Sequence, residues 1–161
     1  MTSTAVKVLL DSTYLLPTFG IEVEGLTSRH IAELREAHVK GKVRFYCLST
    51  VWVEVIGKVC RERERLRIDI KDVLRRAVDS LLKSEFYEWI TPDAEAVKLA
   101  FELRTLGHRD NIDNLLYATS IEKSMIFLSM DKEFKRFLSK NGYKTENFLG
   151  HEELLKTVKT L

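Results

Sequence analysis

Apolar positions along this chain follow two rhythms. Short dense runs rich in β-branched and aromatic residues read as buried strands, and stretches in which apolar residues return every three or four positions read as helices. Val6 to Leu10 (VKVLL), Val43 to Leu48 (VRFYCL), Phe86 to Ile90 and Met125 to Leu128 (MIFL) belong to the first kind, with a final strand expected over Lys144 to Phe148. Helices are expected from Ser28, as cap, through Val39, with Gly41 as the stop, and from Thr50 through Leu66. Another runs from Ile70 to Leu82, with Val73, Leu74, Ala77, Val78, Leu81 and Leu82 on one stripe. Thr91-Pro92-Asp93 reads as a cap, a proline at the first helical position and an acid in the first turn of a helix ending near Leu106 at Gly107. Asp110 opens the next, with Leu115, Leu116, Ala118 and Ile121 inward. Asp131 to Leu138 is a short helix, and a last one begins near Glu152.

Strands alternating with helices predict an α/β chain, a three-layer α/β/α sandwich around a mostly parallel central sheet. In such sheets ligands sit beyond the carboxyl ends of the strands. That rule gives meaning to the acids. Asp11 follows the first strand and Asp131 follows MIFL, so both emerge at one edge. Asp110 and Asp113, three positions apart at a helix start, lie about 60° apart around its axis and face the same crevice.

Each acid also has an ordinary reading. Asp110 and Asp131 could cap helices, and Asp113 could simply favour the positive end of a helix dipole. Asp11, directly after a buried run, needs a partner or a cation. Glu54, in STVWVEVIGKV, sits in a helix segment apolar nearly all round; Lys58, one turn on, could form a weak surface pair with it. The company Glu54 keeps favours a site.

Composition adds boundaries. The 161 residues carry a formal charge of +2 with 31% charged residues, so any nucleic-acid-binding surface has to be local. Nothing approaches the roughly 20 apolar residues of a membrane span, and the start has no secretion signal, so the expectation is one cytoplasmic domain, residues 1–161. Cys47 and Cys60 have no metal-ligand spacing and read as small apolar fillers. Glutamine is absent while Lys, Arg and Glu abound, the bias of heat-adapted proteins. His30, His38 and His151 have no partners in sequence that suggest a site, and His108, a single histidine in a loop near the acids, reads as a surface residue rather than a ligand. Several carboxylates sharing a crevice recruit protons or cations, and oxygen ligands without His or Cys select Mg²⁺ or Mn²⁺ over zinc.

Four segments in order, VLLDSTYLL, STVWVEV, DNIDNLLYATS and IFLSMDKEF, resemble the PIN-domain ribonucleases, especially archaeal members related to the VapC toxins of toxin–antitoxin pairs. The resemblance covers nearly the whole chain. It implies catalytic positions at Asp11, Glu54, Asp113 and Asp131, and metal ligation by Asp11, Asp113 and Asp131 with Asp110 as an additional ligand. Ser12 and Ser129 take supporting roles, orienting a ligand or a water. Asn114 stands where the family usually has alanine, and Ser-Met-Asp replaces the more familiar Thr-Arg-Asp; neither change removes a carboxylate.

The function so implied is hydrolysis of RNA phosphodiester bonds dependent on Mg²⁺ or Mn²⁺, as the toxin of a toxin–antitoxin pair or as a processing enzyme. Expected partners are RNA, a small antitoxin and a second copy of the chain. Arg109, beside the acids, is the candidate phosphate contact; the helix cations Lys58, Arg61 and Arg65 read as a solvated face laced by Glu62 and Glu64. A haloacid-dehalogenase-type phosphatase would need a second acid where Thr13 stands, and a receiver domain accounts for neither Glu54 nor the acid after MIFL. The alternative from another class is a non-catalytic module of the same fold that binds RNA or protein.

Overall fold

The computed structural model describes residues 4–161. Five strands, β1 (Val6–Leu10), β2 (Val43–Leu48), β3 (Tyr87–Ile90), β4 (Ile126–Leu128) and β5 (Phe148–Leu149), form one sheet in the order β3-β2-β1-β4-β5. All four pairings are parallel, with Val8 opposite both Phe45 and Ile126, so the sheet is wholly rather than mostly parallel. Parallel strands need crossovers, and the helices supply them. They are α1 (Ser28–Val39), α2 (Val51–Leu66), α3 (Lys71–Lys83), α4 (Ala94–Thr105), α5 (Asn111–Glu122), α6 (Lys132–Lys140) and α7 (His151–Lys159). The fold is α/β, with the sheet flanked by helices.

The chain lays β2 and β3 on one side of β1, then returns to lay β4 and β5 on the other. The strand order therefore reverses between β1 and β4, and a crevice opens at their carboxyl ends. Val8, Leu9, Leu10, Phe127 and Leu128 at the centre are buried on both faces, as dense apolar runs in a parallel sheet require. α5 lies deep as well, burying Leu116, Tyr117 and Ala118.

Several local expectations shift. Thr27, not Ser28, caps α1, accepting from the His30 N–H at 3.1 Å. Asp93, not Thr91, caps α4, which leaves Pro92 outside the helix; both residues can cap, and the aspartate lies nearer the buried Ala96. A 3-10 helix over Ser12–Phe19, holding Pro17, was not expected; its YLL run fits strand and helix alike. β5 is only Phe148–Leu149, and α7 starts at His151. Cys47 is buried but Cys60 is exposed, because the inward stripe of α2 is Val51, Val55 and Val59. For the same reason Val53 and Ile56 face outward, at 71% and 59% exposure, and α2 is not apolar toward the core all round. On α3 the stripe narrows, with Val73 and Leu82 exposed. No helix among the described residues is long and apolar enough to cross a membrane.

Candidate active site

Asp11 is the first residue beyond β1 and Ser129 the first beyond β4, so the switch point brings them together: Ser129 Oγ donates to Asp11 Oδ2 at 2.7 Å. The other carboxylate oxygen of Asp11 accepts the Thr13 N–H at 2.8 Å and caps the 3-10 helix. Burial pushes the Asp11 carboxyl above its usual range, and the Thr13 N–H, the Ser129 hydroxyl and Lys58 pull part of that back. An acid after a buried strand thus finds the partners it needs.

Glu54 reaches the same place from the first turn of α2. Ser12 Oγ donates to Glu54 Oε1, and Lys58 Nζ lies 3.0 Å from that oxygen and 3.1 Å from Ser12 Oγ. The pair with Lys58 is therefore real, but it is half-buried inside the crevice rather than on an open face. Lys58 is the residue that the sequence pattern undervalued. Its position one helical turn after Glu54 was the available signal, since residues four apart share a face.

From α5 come Asp110 and Asp113. Asp110 caps the helix, accepting from the N–H groups of Ile112 and Asp113 at 3.1 and 3.0 Å, so its ordinary reading holds. Yet its carboxylate also takes part in a cluster: ligand oxygens of Glu54, Asp110 and Asp113 all lie within 4.8 Å of one another. Asp113 is buried with no neutralising partner among the described residues. Its carboxyl is pushed up to about 8, first by burial, then by the charges of Asp110, Asp11, Glu54 and Asp131. Such a group holds a proton at neutral pH unless a cation replaces it.

Asp131 sits at the rim. Its Oδ1 caps α6 by accepting the Phe134 N–H at 3.0 Å, and its own N–H donates to Ser129 Oγ at 3.1 Å. It adds to the field on Asp113 but stands outside the tight group of three. Arg109 is exposed and joins no ion pair among the described residues. Asn114, fully buried, accounts for its own departure from alanine. Its Nδ2 donates to the His108 carbonyl at 2.9 Å and its Oδ1 meets His108 Nδ1 at 2.8 Å, tying the loop before α5 to the helix. His108 is no loose surface residue, for its ring stacks on Phe134 with centroids 4.1 Å apart.

A second group was not expected: ligand atoms of His30, His151 and Glu152 also lie within 4.8 Å. Its hydrogen bonds argue against a metal. His30 Nδ1 accepts the Thr27 N–H at 3.1 Å, and His151 Nε2 donates to the Gly25 carbonyl at 2.9 Å while its Nδ1 faces the Tyr14 hydroxyl at 3.0 Å. Both neutral rings then carry their proton on Nε2, which leaves that nitrogen no lone pair for a metal.

The donor set of the first group is oxygen alone, partly buried and short of positive charge, which fits a hard divalent cation. The class of protein so defined is an α/β fold with an acidic centre at the switch point of a five-stranded parallel sheet. Among known proteins, no family model and no curated sequence matches the chain. Solved structures do. PAE2754 from Pyrobaculum aerophilum aligns with a TM-score of 0.59 at 15% identity, over 99% of this chain and 94% of that one. VapBC2 from Rickettsia felis, bound to a DNA fragment from its promoter, gives 0.54 at 16% identity over 90% and 97%. VapC20 of Mycobacterium tuberculosis, a sarcin-ricin loop cleaving toxin, gives 0.52 at 13% identity over 85% and 96%. At these identities the likeness is one of fold, and the fold is PIN-like.

Proposed function

We propose that this chain is a divalent-metal-dependent ribonuclease that hydrolyses RNA phosphodiester bonds. The observation that carries the reading is the convergence of Glu54, Asp110 and Asp113 beside the buried Asp11, four acids from three separate elements with too little positive charge among them. Asp11, Glu54, Asp110 and Asp113 are the residues that would hold Mg²⁺ or Mn²⁺. When bound, the ion supplies positive charge to the phosphate and lowers the pKa of a water. Ser129 and the Thr13 N–H fix the Asp11 carboxylate, while Ser12 and Lys58 fix Glu54. Asp131 borders the site, where it orients Ser129 through its own N–H, and Arg109 is exposed on the approach and available to a phosphate. The acids alone would repel RNA, so the reaction depends on the ion.

Within this reading the chain is the toxin of a toxin–antitoxin pair. The fold it shares with VapC20 and VapBC2 supports that role and, with it, a small antitoxin as partner; a second copy of the chain is the further partner that the sequence resemblance implies. The test is incubation of purified protein with a diverse RNA pool. Fragments should form with Mg²⁺ or Mn²⁺, disappear with EDTA, and be absent for Asp11→Asn and Asp113→Asn proteins of unchanged circular dichroism. RNA left intact by the wild type under both ions would favour the non-catalytic binding module.

A further inference from the structure

Beside the acidic centre runs a groove of about 740 Å³ between α6 and the start of α7. Ser129 and Asp131 close the end nearest the centre, so the groove is continuous with it. Lys132, Lys135 and Arg136 form one wall. They occupy positions i, i+3 and i+4 of α6 and so share a face, with Cβ atoms about 5–6 Å apart. Among the described residues none of the three is in an ion pair, whereas Lys58 is held by Glu54, Arg65 by Glu62 and Arg44 by Glu88. The Lys135 ammonium rests 5.9 Å from the centre of the Phe148 ring, its stem lying over the groove floor. The facing wall differs in kind. Glu152, Glu153, whose Oε1 accepts the Gly150 N–H at 3.3 Å, and the hydroxyl of Thr145 offer acceptors and no cation.

We infer that this groove carries the RNA strand adjoining the cleaved phosphate, with the sugar-phosphate backbone along Lys132, Lys135 and Arg136 and the bases turned toward α7. The inference rests on the ribonuclease reading and extends it to a path. Opposite walls of unlike character suit a single strand, which is anionic on one side and bears amino donors on the base edges of the other. An acidic protein segment, which carries its charge on every side, would meet Asp131 at the inner end and Glu152 and Glu153 on the facing wall. The volume lies within the range of clefts that enclose nucleotide-sized ligands.

The test measures binding of a fluorescein-labelled, mixed-sequence single-stranded RNA by anisotropy, across a series of salt concentrations. Asp113→Asn protein serves as parent so that nothing is cleaved. Three phosphate contacts on a single strand account for a slope of roughly 2 in log affinity against log salt, and about 100-fold in affinity at 0.1 M salt. The combined variant Lys132→Ala, Lys135→Gln, Arg136→Ala should lose that much of each. Lys132→Ala alone, at an exposed position, should lower the slope by about 0.7. Removing three exposed cations of α3, by Lys71→Ala, Arg75→Ala and Arg76→Ala, should leave both unchanged. In the otherwise wild-type enzyme the α6 changes should raise KM and spare kcat. Equal RNA affinity and slope in the parent and α6 variants would overturn the groove assignment alone, leaving the surface to a protein partner. Failure of the parent to bind RNA, with no cleavage by wild type, would overturn the ribonuclease reading and the groove with it.

Discussion

Ser129 and Asp11 lie 118 positions apart in the chain, yet the hydroxyl of one donates to the carboxylate of the other over 2.7 Å, because each is the first residue past one of two adjacent parallel strands. One hydrogen bond thus clasps the point where strand order reverses. It also sets the orientation of an acid whose pKa burial raises, and offsets part of that rise.

Ser129→Ala should accordingly destabilise the protein by about 1–3 kcal/mol, the cost of a buried polar group left short of a partner. Two groups lose a contact, the Asp11 carboxylate and the Asp131 N–H. Ser129→Thr, which keeps the hydroxyl, should cost much less. Urea denaturation of the three proteins in EDTA checks this.

Asp113 should behave in the opposite way. It is buried among Asp110, Asp11, Glu54 and Asp131, so in metal-free protein at neutral pH it must take up a proton that the unfolded chain does not bind, and that uptake opposes folding. Asp113→Asn should raise stability in EDTA by about 1–2 kcal/mol, a few degrees in Tm for a chain of this size. The same change should abolish the rise in Tm that Mn²⁺ gives the wild type. Thermal unfolding with and without Mn²⁺ reads both effects.

Not all of this was legible in the sequence. β1, β2 and the acids that follow β1 and β4 could be read directly, since a dense apolar run stopping abruptly at Asp marks a central strand whose carboxyl end opens on a crevice. The tight grouping of Glu54 with Asp110 and Asp113, and the place of Asp131 at the rim, could not. Both depend on how far α2 and α6 stand from the strand ends, and periodicity carries no distances. Val53 and Ile56 misled for a related reason: apolar character names what a residue tolerates, while α2 presents only Val51, Val55 and Val59 to the core. The 3-10 helix at Ser12–Phe19 escaped because its pattern fits two periods at once.

Asn114 gives a sharper test of local design. Asn114→Ala restores the residue expected by resemblance but removes both bonds to His108 and leaves its carbonyl without that donor. A loss of about 1–3 kcal/mol is expected. Because that loop leads into Asp110, Mn²⁺ affinity should fall too, which calorimetric titration would register.

His151 introduces a pH dependence away from the acids. Burial first, then the neighbouring His30, lowers its pKa; the Gly25 carbonyl and Glu152 act in the other direction without cancelling the shift. The native ring stays neutral at pH values where the unfolded chain, with its histidine near 6.5, already binds a proton. The unfolded state then binds more protons, so stability falls as pH drops below about 6.5 and continues to fall until the native pKa is passed. The slope approaches at most about 1.4 kcal/mol per pH unit for this group. Unfolding free energies between pH 7 and pH 5 should show a shallower decline in His151→Gln than in the wild type.

The most direct measurement is anomalous diffraction from crystals grown with Mn²⁺. A manganese peak held among the carboxylates of Asp11, Glu54, Asp110 and Asp113 is the predicted result. No peak there, or a peak only at His30, His151 and Glu152, would contradict the metal-dependent centre on which the proposed activity depends.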